Sequence, residues 1–243
     1  MDTINRGVPK KIDNDGLVDS LVVLSFETDY NTKKLETELD KFLNEKLTSN
    51  EFAKTPLRKK DLESFPNDSN STNVFYSNGE LKVFIDDNKF VVNSLVQYPG
   101  WEVLGKFVHG LIDKFFEMVH FTNVGVRYIS LMKNESFVEN MDGTIRFNHF
   151  SVFNGAEYNF SCSAKADDGA SDAKVVVHLK EKAKIIDSFA SVVDVEVTTN
   201  LIKHNPQTRK DVFSHIQYCH VVEKDVFFRL LSDNYINAHN PVW

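Results

Sequence analysis

Trp101, Leu104, Val108, Leu111, Phe115 and Val119 recur at steps of three or four. That spacing puts side chains on one face of an α-helix. The residues Asn123 to Met132 follow directly and read as a strand. The segment Tyr98–Met132 is therefore one amphipathic helix feeding one strand, opened by Tyr98, Pro99 and Trp101 and carrying the pair Arg127-Tyr128. Gly105 and Gly110 lie inside the helix, where each costs about 1 kcal/mol against alanine. They are expected to allow close approach to a neighbouring element.

Upstream, residues 1 to 16 are polar. Leu17–Glu27 alternates with apolar residues on both faces at its middle, so it predicts a central strand covered on both sides. Asn31 or Thr32 caps a helix running to about Leu47, with Leu35, Leu39, Phe42 and Leu43 as its stripe. The stretch SFPNDSNSTN, residues 64–73, is the clearest loop. Asn78-Gly79 suits a tight hairpin and Asp86-Asp87-Asn88 a second turn, giving strands Val74–Tyr76, Leu81–Ile85 and Phe90–Val96.

From Gly143 to Leu201 the pattern is β throughout, punctuated by Asp142-Gly143, Asn154-Gly155 and Asp168-Gly169. Strands are expected near Thr144–Phe153, Ala156–Ala164, Ala173–Lys182 and Lys184–Asn200. Asn205 with Pro206 marks a helix start, and an unbroken helix of roughly 30 residues, ~45 Å long, is expected to about Asn237. Val212, Ile216, Cys219, Val222 or Glu223, Val226 and Leu230 form its stripe.

Antiparallel runs of strands with single helices between them predict an α+β fold. The expectation is an antiparallel meander sheet covered by about three helices, the long C-terminal one lying across it. The chain reads as one globular unit, 1–243. Two similar lobes, 17–98 (β-α-β-β-β) and 99–243 (α-β5-α), are an open alternative without a residue-level repeat.

Composition removes several function classes. The formal charge of −7 and pI near 5.6 argue against nucleic acid, whose binders concentrate Lys and Arg on one face. The short run Arg58-Lys59-Lys60 reads as a solvated loop, with a phosphate contact as its sharper alternative. No apolar run approaches the ~20 residues that span a bilayer, and the first residues lack a signal-peptide core. With two distant cysteines, Cys162 and Cys219, a cytoplasmic chain with both thiols buried is expected.

Catalytic signatures are sparse. There is no GxSxG and no phosphate-cradling glycine loop. Asp13-Asn14-Asp15-Gly16 imitates a calcium loop but has Leu24 where the bidentate acid belongs. His215 and His220 are five apart on one helix, unsuited to chelating one ion. His109, His120, His149 and His178 read as packing residues. No cofactor, metal or catalytic residue is expected. Arg127 shares a side of its strand with Ile129 and Leu131, so its charge needs a partner. That partner is either an acid on the sheet or C-terminal helix, such as Glu223 or Asp225, or a carboxylate or phosphate ligand with Tyr128 or Tyr98 nearby. Trp101 and Tyr98 form either a staple into the core or a stacking platform. The candidate ligand residues are Arg127, Tyr128, Tyr98, Trp101 and His220.

The Tyr98-Pro99-Gly100-Trp101-Glu102 helix start and Val124-Gly125-Val126-Arg127-Tyr128-Ile129 resemble a sporadically distributed family of uncharacterised bacterial and archaeal proteins. Those carry Tyr-x-x-Trp at a helix start and Gly-Leu-Arg-Tyr-Ile-Asn on a strand. The helix bearing His220, Phe227 and Ser232-Asp233 is similar to that family's end. The resemblance covers most of residues 17–237. Val126 replaces the usual leucine, and Ser130 stands where asparagine is common. The family implies a fold and no activity, cofactor or catalytic residue; its patchy occurrence resembles that of mobile and defence genes.

The leading expectation is a non-catalytic protein-interaction or regulatory protein with a protein partner and no membrane or nucleic acid. A small-molecule binder with an apolar pocket between sheet and C-terminal helix is the alternative. A hydrolase using Asp86, Asp87 and His178 is third. Oligomeric state is not set by the sequence.

Overall fold

The computed structural model describes residues 8–9, 12, 16–46, 53–56, 74–86, 88–94, 98–133, 157–165, 172–185, 188–204 and 208–243. Its elements, in chain order, are β1 (Leu17–Glu27), α1 (Thr32–Lys46), β2 (Ala53–Pro56), β3 (Val74–Ser77), β4 (Leu81–Asp86), β5 (Lys89–Ser94), α2 (Trp101–Phe115), β6 (His120–Lys133), β7 (Glu157–Lys165), β8 (Asp172–Ile185), β9 (Ser188–Asn200), α3 (Leu201–His204), α4 (Arg209–Leu230) and α5 (Asp233–Ala238). The fold is α+β, as its alternation of meanders and single helices predicts.

The described strands form one nine-stranded sheet in the order β2-β3-β4-β5-β1-β6-β9-β8-β7. Every described pairing is antiparallel. β1 and β6 lie at its middle, and each is flanked by the last strand of the meander that follows it. The two halves therefore repeat one plan, a strand followed by a meander that returns beside it and then a helix. They are joined edge to edge into a single sheet.

Turn chemistry sets the registers. Gly79 has φ +90°, a region that glycine enters without strain, and Asn78 Oδ1 accepts from the Glu80 and Leu81 amides at 3.0 and 2.8 Å. Asn88, at φ 59°, turns β4 into β5. Asn31 caps α1 by accepting from the Lys34 amide at 2.9 Å.

α1, α2 and α4 pack on one face of the sheet. Their stripes meet Val22, Leu24 and Phe26 of β1 and Val124, Val126 and Tyr128 of β6 in one buried cluster. α2 and α4 run antiparallel: Trp101 meets His220, His109 meets Phe213, and Arg209 meets Phe116. No described helix is long and apolar enough to cross a membrane.

The structure corrects four expectations. β1 is central, but only one of its faces is fully buried; Leu21 and Val23 on the other are half-buried. The C-terminal helix is not continuous. α4 has 22 residues, ~33 Å, and Leu231 turns extended at ψ 143°. Ser232 then caps α5 by accepting from the Tyr235 amide at 3.2 Å, a cap signature hidden inside a helix-permissive run. Thr208 and Asp211 form a capping box at the start of α4; Asn205 and Pro206 lie outside the described residues. Finally, Lys184 and Ile185 belong to β8, where they pair with Phe189 and Ser188 of β9 beyond a register shift between Lys180 and Ala183. The expected strand Thr144–Phe153 and the loop 64–73 lie outside the described residues.

Candidate functional site

On α4 the buried positions are Val212, Ile216, Cys219, Glu223, Phe227, Phe228 and Leu230. The periodicity therefore chooses Glu223 over Val222 and places a carboxyl at a core position. His220 lies one turn earlier on nearly the same face. α2 brings its first turn against this stretch. Gly100 opens the helix at φ 89°, and Trp101 stacks flat on His220, with centroids 4.1 Å apart and planes at 11°. The Trp101 indole N–H donates to Gln217 Oε1 at 2.6 Å. Gly105 makes this possible: a Cβ there would sit 3.2 Å from the Trp101 ring. The close approach is to the helix's own tryptophan rather than to a neighbouring element.

The sheet supplies Tyr128 from below. Its hydroxyl lies 2.8 Å from Tyr98 Oη and 3.1 Å from His220 Nδ1. One hydroxyl proton serves two neighbours, so the chain has two settings. Tyr128 donates to His220 while accepting from Tyr98, or it donates to Tyr98 while accepting from a protonated Nδ1. Around it the sheet is hydroxylic. Ser20 and Ser94, buried and level with Tyr128 in the register, bond each other at 2.7 Å. The rings of Tyr98 and Tyr128 meet at 5.3 Å.

Burial dominates the electrostatics. It pushes the Tyr128 phenol far above its usual range, with the neighbouring Tyr98 and Glu223 adding to the rise. It pulls His220 down to about 4, helped by Lys224, so the imidazole is neutral at pH 7. Glu223 is 1% exposed. Burial raises its pKa well above the usual carboxylate range, and its Oε2 has no hydrogen-bond partner among the described residues. Cys219, next to His220, is likewise buried, its thiol pushed up to about 11.

Four of the five candidate ligand residues thus converge: Tyr98, Trp101, Tyr128 and His220. Arg127 does not join them. Strand alternation sends it to the opposite face, where its guanidinium bonds Asp194 of β9 with both prongs, Nε to Oδ1 at 2.9 Å and Nη2 to Oδ2 at 2.7 Å. Of the two readings of Arg127, the structure supplies the ion pair, with Asp194 instead of Glu223 or Asp225. The Asp194 bond, with Glu196 and Asp19 nearby, raises the Arg127 pKa despite its partial burial. Asp19 is raised by burial, against a hydrogen bond from the Asn93 side-chain amide. Leu21, Ile129 and Leu131 flank the pair, half-buried, and no described helix covers this face.

Gln217 and Glu223 complete the cluster but were not chosen as site residues from sequence. Glu223 had a legible signal, a charge falling on the stripe of a long helix; Gln217 had none. Other expected constellations do not form. Asp86 and His178 stand on β4 and β8, five strand spacings or ~24 Å apart, and Asp87 lies outside the described residues. Cys162 is exposed on β7, an outer strand of the described sheet, not buried like Cys219. Among the described residues no group of three His, Cys, Asp or Glu side chains could hold a metal ion. A cavity of about 500 Å³ lies at the far end of α2, between the β1–α1 and α2–β6 turns. It touches α4 only at Val212 and carries Glu27, Asp29, Glu117 and His120, so it is not the expected apolar pocket under the terminal helix.

No protein-family model matches the chain, and no curated protein matches it.

Proposed function

We propose that the chain is a non-catalytic binding protein whose open sheet face, centred on Arg127, receives a basic segment of a partner protein. The observation that carries the proposal is the bidentate Arg127–Asp194 pair, held on a half-exposed strand face among Leu21, Ile129 and Leu131. The two-pronged pair holds the Asp194 carboxylate in place before binding, so it loses little freedom on contact. Three carboxylates, Asp19, Asp194 and Glu196, act on that one guanidinium. A partner Lys or Arg would balance them.

Two features weigh against catalysis. His220 is a weak base, locked between an indole and a phenol. The buried Cys219 thiol is a poor nucleophile.

The test begins with a partner captured from the native host, purified and titrated against the chain. Glu196→Gln is expected to weaken binding about tenfold while lowering stability by no more than about 1 kcal/mol, and added salt to weaken the wild-type complex. Hydrogen-exchange protection on α2 and α4, with β1, β6 and β9 unaffected, would refute this reading.

A second reading, small-molecule binding between sheet and α4, is favoured by the unpartnered Oε2 of Glu223.

A further inference from the structure

Among the described residues, Glu223 is a buried acid that the fold leaves unexplained. A buried carboxyl is tolerated when something compensates for its lost hydration, and most buried polar atoms have partners. The described residues supply none for Oε2. Tyr128 Oη, the nearby polar group, is already engaged by Tyr98 and His220. Aromatic rings surround this end of the seam: Trp101 on His220, and Tyr98 against Tyr128. Tyr98, Trp101 and His220 are only half-buried, so solvent touches the outer side of the cluster.

A carboxyl at the base of an aromatic cluster is complementary to one ligand class. A cation gains from the electron-rich ring faces and from a carboxylate in a poorly hydrated site. An anion meets neither benefit. A metal ion would need more ligating side chains than stand here.

We propose that Glu223, with Tyr98, Trp101 and Tyr128, forms a binding site for a small organic ammonium group. On binding, the Glu223 carboxyl releases its proton to solvent and the carboxylate pairs with the ammonium ion. The ligand enters past Tyr98 and Trp101, disturbing the Trp101–His220 stack. This site lies on the opposite face of the sheet from the partner surface, so either can fail without the other.

Trp101 reports the event. In a Trp243→Phe background it is the sole tryptophan, and Trp243 is 55% exposed at the chain's end. Methylammonium and tetramethylammonium chlorides are titrated at constant ionic strength, with sodium chloride and sodium acetate as controls. At least one ammonium ion is expected to give a saturable fluorescence change, at least tenfold weaker in Glu223→Gln and absent with both controls. A second measurement needs no substitution at the site: in protein carrying ¹³C-labelled glutamate, one buried carboxyl resonance should move to the ionised position on saturation. No saturable response to either ammonium ion, an equal response in a folded Glu223→Gln, or an unmoved carboxyl resonance would each overturn the proposal.

Discussion

The seam between α2 and the sheet has two ends of opposite character. At the C-terminal end of α2, Phe115 meets Phe90 at 4.5 Å and Phe90 meets Phe26 at 4.7 Å, all three buried. At the N-terminal end the same helix meets Tyr128, His220, Gln217 and, behind them, Glu223. The backbone beneath is the same at both ends, the paired β1 and β6. The difference teaches that the fold does not require the polar end. Apolar packing completes the seam where nothing else is demanded, and the Tyr–His–Glu cluster costs stability that Phe and Leu would have supplied.

The sharpest way to test that contrast is to damage the apolar end. Phe90→Ala removes a fully buried ring and should cost about 3–5 kcal/mol, read by urea unfolding.

Glu223→Leu should do the reverse, stabilising by about 1–3 kcal/mol at pH 7, because it replaces an unsatisfied buried acid by an apolar group of similar volume. The pH dependence sharpens this. Glu223 faces Tyr128 from the sheet and has His220 and Lys224 on its own helix. Its folded pKa is raised, so between the ordinary carboxylate value and the folded one the native state holds the extra proton. Stability therefore falls as pH rises through that window. His220, depressed to about 4, contributes the opposite slope from about 4 to its ordinary value near 6.5. The comparison with Glu223→Leu isolates the Glu223 slope: the melting temperature of the wild type, relative to that of Glu223→Leu, should fall as pH rises above the ordinary carboxylate range. A difference that does not change with pH would mean that Glu223 is not held neutral.

The smallest effect concerns Gly105. In an exposed helix Gly→Ala gains about 1 kcal/mol. Here the added methyl meets a Trp101 ring pinned by His220 and Gln217, so Gly105→Ala should lose stability by about 1 kcal/mol. A gain would show that the ring is free to move.

Much of this architecture was legible. Leu104, Val108, Leu111 and Phe115 named the buried face of α2, and Asn78-Gly79 marked the turn from β3 to β4, because burial and backbone conformation act locally. The convergence of Tyr98, Trp101, Tyr128 and His220 depends on α2 and α4 crossing the same strand, which no local pattern encodes. Arg127 shows the limit most clearly. Alternation placed it correctly with Ile129 and Leu131, but which face the helices would cover was not written in β6 itself. The break at Leu231 was missed because every residue around it is compatible with a helix, and Ser232 acts only once a new cap becomes available.

The repeated plan of the sheet also bears on how the chain reaches its native state. The hairpins β4–β5, β7–β8 and β8–β9 pair across short turns, whereas Val22 meets Val92, Val126 meets Val197 and Leu24 meets Val124 only after loops of about seventy to one hundred residues have shut, each an entropy cost of roughly 4 kcal/mol. The three central pairings, β5–β1, β1–β6 and β6–β9, are thus where slow closure is expected. Weakening the β6–β9 pairing at Gly125, where a methyl would press on the Thr198 side chain at 2.9 Å, should slow refolding more than comparable damage in a short hairpin such as β4–β5.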